Sequence, residues 1–98
     1  MTVGQPDPSL EAASELLRVL ASPVRLGIVR ELAGHGRAVH ELVSALGVSQ
    51  PLVSQHLRVL RTSRIVKGRR HAREIEYTLA DEHVARIVLD AIRHVAEA

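Results

Sequence analysis

The chain has no cysteine, no phenylalanine and no tryptophan, and Tyr77 is its single aromatic residue. The missing cysteines remove disulfides, thiolate metal sites and thiol redox chemistry, and they fit a reducing compartment, so a cytoplasmic protein is expected. The missing aromatics take away the stacking platforms that hold single strands and RNA loops, which makes those ligands poor candidates. No apolar run reaches the length of a membrane span, about 18 residues or more. The opening MTVGQPDPS lacks the charged-then-apolar pattern of a secretory signal. No membrane partner is therefore expected.

A length of 98 residues gives one small domain. Its core is modest by itself, and a second copy often supplies the missing burial at this size. With 46% hydrophobic and 24% charged residues the composition is that of a globular protein whose apolar part is almost entirely Leu, Val, Ile and Ala. The net charge of +2 conceals an uneven distribution. Arg58, Arg61, Arg64, Lys67, Arg69, Arg70 and Arg73 lie between Gln50 and Arg73 with no acid among them, more than half of the chain's 13 Lys and Arg. Such a block beside a near-neutral remainder is the footprint of a polyanion-binding surface.

Periodicity predicts a mainly α chain with one small β-hairpin. Residues 1–9, with two prolines and a glycine, are expected to form a flexible arm, and residues 10–98 a single domain. From Leu10 to Leu20 the residues Leu10, Ala13, Leu16, Leu17 and Leu20 recur at helical spacing. Ser22 followed by Pro23 marks a cap and first turn, and that second helix runs to about Ala33, before Gly34 and Gly36. A short third helix is expected over Val39 to Leu46, ending at Gly47. Ser49 then caps a fourth, with Val53, Leu57 and Leu60 facing inward.

A helix, a tight turn containing glycine and a helix with polar first turns form the pattern of a helix-turn-helix, whose second helix enters the DNA major groove by its N-terminal half. Ser49, Gln50, Ser54 and Gln55 are the candidates for base edges there. Glutamine pairs bidentately with adenine, serine bonds several edges, and Arg58 one turn further on reaches phosphate or guanine. The next stretch, RIVKGRRHAREIEYTL, predicts strands over Ile65–Lys67 and Arg73–Leu79 with GRRHA at the tip, a wing after the helix-turn-helix. In the second strand Ile75, Tyr77 and Leu79 alternate with Glu74, Glu76 and Thr78, so one face is buried. Lys67, Arg69, Arg70 and His71 are expected to reach flanking phosphates of double-stranded DNA.

SQPLVSQHLRVLR followed by GRRHAREIEYTL resembles the recognition helix and wing of the ArsR/SmtB family of bacterial metal-sensing repressors, and LASPVRLGIVREL is similar to that family's second helix. The similarity extends from about Leu16 to the end. It implies a winged helix-turn-helix homodimer, paired through its first and last helices, that blocks transcription when metal-free and leaves operator DNA when loaded.

The closing stretch DEHVARIVLDAIRHVAE carries His83 and His94 on one helix, eleven residues and roughly 16 Å apart. They cannot share a small ligand within one chain: either they are unrelated, or a second copy is involved. Val84, Val88, Ala91 and Val95 repeat at steps of four, three and four, a seam suited to a partner helix. In an antiparallel pair the start of one helix lies beside the end of the other. The pattern Asp-x-His, ten residues, His-x-x-Glu is similar to the interhelical zinc site of SmtB-type sensors. The resemblance thus implies metal ligation by Asp81 and His83 of one chain with His94 and Glu97 of the other. Two imidazoles and two carboxylates without sulfur suit zinc, with cobalt or nickel as alternatives, and disfavour soft ions. A winged-helix repressor that answers no metal is the other alternative, with Asp81 a helix cap and the histidines surface residues. A catalytic zinc centre needs an open coordination position and a substrate pocket. Ligands on a dimer seam offer neither, so neither an enzyme nor a small organic substrate is expected.

Overall fold

The computed structural model describes residues 7–97. Five helices and three strands follow in the order α1 Pro8–Leu20, α2 Pro23–Leu32, β1 Arg37–Ala38, α3 Val39–Leu46, α4 Gln50–Thr62, β2 Val66–His71, β3 Glu74–Leu79 and α5 His83–Ala96. The strands form one antiparallel sheet in the order β1-β3-β2.

Helix boundaries follow local chemistry. Asp7 caps α1 by accepting from the Ser9 amide at 2.8 Å, so the helix begins at Pro8, two residues before the expected Leu10. Of the arm expected over residues 1–9, residues 1–6 lie outside the described residues, and Pro8 and Ser9 are helical. Ser22 caps α2 at the Arg25 amide, and Ser49 caps α4 at the Leu52 amide. α3 ends at Gly47, whose φ of 67° is the left-handed turn that glycine adopts without strain. At the start of α3 the Glu41 carboxylate accepts from the Ala38 amide at 2.8 Å, and this bond holds its pKa below the ordinary value.

The core is aliphatic. Ile28, Val29 and Leu32 of α2 meet Leu42 of α3 and Val53, Leu57 and Leu60 of α4, all nearly or fully buried. The inward face predicted for α4 is therefore observed. α5 packs on α2 through Val84, Ala85 and Val88, which corrects the expected partner seam. Val84 and Val88 are buried in the chain's own core, and only Ala91 and Val95 of that set are exposed. Periodicity finds an apolar face and does not say which neighbour covers it. α1 buries little besides Leu20, leaving Leu10 and Leu17 at 69% and 55% exposure.

α4 closes in a Schellman turn. The Ile65 amide bonds the Leu60 carbonyl, the Arg64 amide bonds that of Arg61, and Arg64 takes a left-handed φ of 61°. Glycine normally fills this position, and an L side chain there costs on the order of 1 kcal/mol. Arg64→Gly is expected to stabilise the fold by roughly 0.5 to 1 kcal/mol, a rise of several degrees in Tm for a chain of this size. Thermal denaturation at fixed protein concentration tests this, and an unchanged or lower Tm would show that the arginine side chain offsets its backbone cost.

Candidate nucleic-acid interface and metal-ligating helix

The turn Gly47-Val48-Ser49 sets α4 across α3, and its buried face fixes the opposite one to solvent. Gln50, Gln55, Arg58 and Arg61 are exposed and Ser54 is half-buried. Ser49 is also exposed, with its hydroxyl oxygen engaged as the cap acceptor for the Leu52 amide at 3.4 Å.

The hairpin differs from the expected one. Gly68, Arg69, Arg70 and His71 belong to β2, and the tip is only Ala72 and Arg73, with His71 opposite Glu74. Gly68 opens the stretch expected at the tip but lies within the strand. It lies opposite Tyr77, and a Cβ there would come within 2.9 Å of Ile75 and 3.2 Å of the Tyr77 ring. It is glycine because a side chain crosses its backbone. The true tip carries no glycine, and Ala72 itself takes a φ of 53°. Arg69, Arg70 and His71 therefore stand along the strand, and Arg73 occupies the tip.

Register separates the wing's cations. Lys67, Arg69 and His71 lie opposite Thr78, Glu76 and Glu74, on the face away from the core. Arg70 lies opposite Ile75, on the other face. The wing's two carboxylates have imidazole partners: Glu74 meets His40 Nε2 at 2.8 Å, and Glu76 meets His71 Nε2 at 3.1 Å. None of Arg58, Arg61, Arg64, Lys67, Arg69, Arg70 and Arg73 pairs with a carboxylate among the described residues. A cleft of about 420 Å³ between α3 and β3 is lined by both Gln50 and Arg73. The first turn of α4 and the wing tip therefore face the same side, the arrangement needed to hold one groove and its flanking phosphates together. Arg61, Arg64 and Arg73 were visible in the basic run, but their positions at the end of α4, in the turn and at the tip were not.

On α5, Asp81 and His83 are adjacent. The Asp81 Oδ1 accepts from the His83 amide at 2.8 Å and lies 3.3 Å from its Nδ1. Both side chains are more than half exposed. His94 and Glu97 are exposed at the far end of the helix. Among the described residues, no group of three or more His, Cys, Asp or Glu in one chain could hold a metal ion. The donor chemistry suits a borderline divalent ion, with each end of α5 offering half a set. Ile87, 40% exposed, shares the flank of His83 and His94, and Ala91 and Val95 adjoin it.

A helix-turn-helix with its polar face free on a packed helical core, and a two-stranded wing rich in unpaired cations, define a winged helix-turn-helix protein of the DNA-binding class. Residues 22–67 match the family model described as bacterial regulatory protein, arsR family. The chain is 56% identical over 92 residues to the HTH-type transcriptional repressor SmtB of Mycobacterium tuberculosis, an alignment covering 94% of this chain and 68% of that one. Its fold is similar to that of NolR from Sinorhizobium fredii, with a TM-score of 0.82, 34% identity, and 97% and 96% of the two chains covered. A similar structure is the homodimeric winged helix-turn-helix DNA-binding domain Mb0332 from Mycobacterium bovis, at a TM-score of 0.77, 30% identity and coverage of 98% and 91%. The chain belongs to the ArsR family of bacterial regulatory proteins. No helix among the described residues is long and apolar enough to cross a membrane.

Proposed function

We propose that the protein is a homodimeric, metal-responsive repressor. In this reading the metal-free dimer binds operator DNA, and a divalent ion, zinc in the first place and cobalt or nickel as alternatives, causes release. The observation that carries the proposal is the division of donors on α5, with Asp81 and His83 at its start, His94 and Glu97 at its end, and Ile87 on the same exposed flank between them. Antiparallel pairing of two α5 helices about a two-fold axis brings the first pair of donors to the second pair of the partner, twice. Burying Ile87 and Val95 of α5, together with Leu10 and Leu17 of α1, in a dimer interface formed by the first and last helices would contribute on the order of several kcal/mol.

A bound ion supplies a positive centre that joins carboxylate and imidazole donors from two chains. This chain's part is geometric. α5 packs on α2, and α2 packs on α4, so the spacing of two α5 helices is passed to the spacing of two recognition helices. Half-sites on DNA lie about one turn apart, and a changed spacing weakens the fit. Protons compete with the ion for imidazole nitrogens, so ion affinity is expected to fall as the solution is acidified. Ser49, Gln50, Ser54, Gln55 and Arg58 are proposed to face the major groove, and Lys67, Arg69, Arg70, His71 and the tip residue Arg73 the flanking backbone.

A second reading has its own observation, since the Asp81 carboxylate already accepts a hydrogen bond from the His83 amide at the start of α5. In that case the repressor answers no metal. Fluorescence anisotropy of labelled DNA from the gene's own promoter separates the two. Zinc is expected to release DNA from the native protein but not from His83→Ala, whereas DNA binding indifferent to zinc leaves Asp81 with its local hydrogen bond alone. For the wing, Arg69→Ala and Arg73→Ala are each expected to reduce the slope of log affinity against log salt by about 0.9. Unchanged slopes would remove those two residues from the interface.

A further inference from the structure

The recognition helix is held mainly by aliphatic packing, which fixes its depth but is tolerant of small rotations. One directional contact adds to it. Arg25 of α2 donates from Nε to Nδ1 of His56 on α4 at 3.0 Å, and from Nη1 to the Val19 carbonyl in the last turn of α1, also at 3.0 Å. Both bonds are partly buried, and the first is the one side-chain-to-side-chain hydrogen bond joining two helices among the described residues. The Val19 carbonyl is one of those a helix end leaves without an intrahelical donor. A single planar guanidinium therefore ties the end of α1 and the middle of α4 to α2.

Guanidinium has donors only, so the His56 Nδ1 must carry no proton and the neutral ring holds its proton on Nε2. Burial first, and the neighbouring Arg25 charge second, hold the pKa of His56 below its ordinary value. On the helical wheel His56 falls between buried Leu60 and half-buried Leu52, away from exposed Gln55 and Arg58. It acts on DNA through the helix that carries it. From α2, Arg25 faces it. From α1 the contact on the shared guanidinium is the Val19 carbonyl, and the neighbouring charges Arg18 and Glu15 pair with each other in solvent at 3.0 Å. On α4 the next charge, Arg58, is exposed on another face, and no carboxylate among the described residues pairs with His56.

We infer that Arg25 and His56 are positioning residues for DNA binding: their hydrogen bond sets the recognition helix against the end of α1, and a proton on His56 undoes it. The inference rests on α4 being the helix that reads DNA. A depressed pKa in the fold means that the neutral ring's contribution is complete above the ordinary histidine value near 6.5 and is lost as pH falls through the lower folded value. An imidazolium would then face a guanidinium with no anion between them.

The test uses the metal-free full chain and two variants, His56→Asn, whose amide oxygen occupies the Nδ1 position without titrating, and His56→Leu, which fills the space without an acceptor. Operator affinity is measured by anisotropy at about pH 8 and at the lowest pH at which the chain stays folded, well below the ordinary histidine value. The readout is the ratio of variant to native affinity, in which pH effects common to all three proteins cancel. At the higher pH, His56→Asn is expected to match the native protein and His56→Leu to bind about ten-fold more weakly. At the lower pH His56→Asn is expected to bind several-fold more tightly than the native chain. A ratio for His56→Asn that does not change with pH, or native affinity in His56→Leu, would overturn the inference. Amide exchange of DNA-free protein supplies a second reading that needs no operator. Exchange in α4 is expected to be faster in His56→Leu and unchanged in His56→Asn at the higher pH, and equal protection in all three overturns the junction even if the native chain fails to bind DNA.

Discussion

The structure depends on one packing event, the closure of α2, α3 and α4 around Ile28, Val29, Leu32, Leu42, Val53, Leu57 and Leu60. With no Phe, Tyr or Trp on these three helices, branched aliphatic chains fill the space between them, and close packing brings the backbones near one another. Gly27 reflects this. A Cβ there would lie 2.7 Å from the Leu46 side chain, so the glycine lets α3 come against α2. Every exposed functional position on α4 is exposed because this cluster claims the opposite face.

The same economy explains what is left outside. A core this small has room for half of α5 and the end of α1, so Leu10, Leu17, Ile87 and Val95 remain in solvent within one chain. These residues are at the two ends of the chain, while the proposed nucleic-acid face is built from its middle. The proposed pairing and reading surfaces thus lie on different elements, and α2 touches both α4 and α5.

Much of this was legible in the sequence where a local rule has a strong signal. Serine caps, the Gly47 stop and the inward triplet Val53, Leu57 and Leu60 marked α2, α3 and the start and buried face of α4 to within a residue or so. The misses share a cause, namely that the deciding partner is distant. β1 is only Arg37 and Ala38 and exists because Tyr77 and Glu76 pair with it. Gly68 looked like a turn and is a crossing point for Tyr77. Val84 and Val88 looked like an intermolecular seam and belong to the core. For the site, residue types and the basic run were visible, whereas the Arg25 and His56 contact spans 31 positions and has no sequence signature.

Tyr77, buried to 7% exposure, pairs with β1 on one side and with Gly68 of the wing on the other. With no tryptophan in the chain to absorb its emission, this phenol is a built-in optical probe placed at the joint between the wing and the helical body. Unlabelled protein thereby reports in its own ultraviolet fluorescence whether the wing is seated, a signal that operator, metal or protons can each be asked to change.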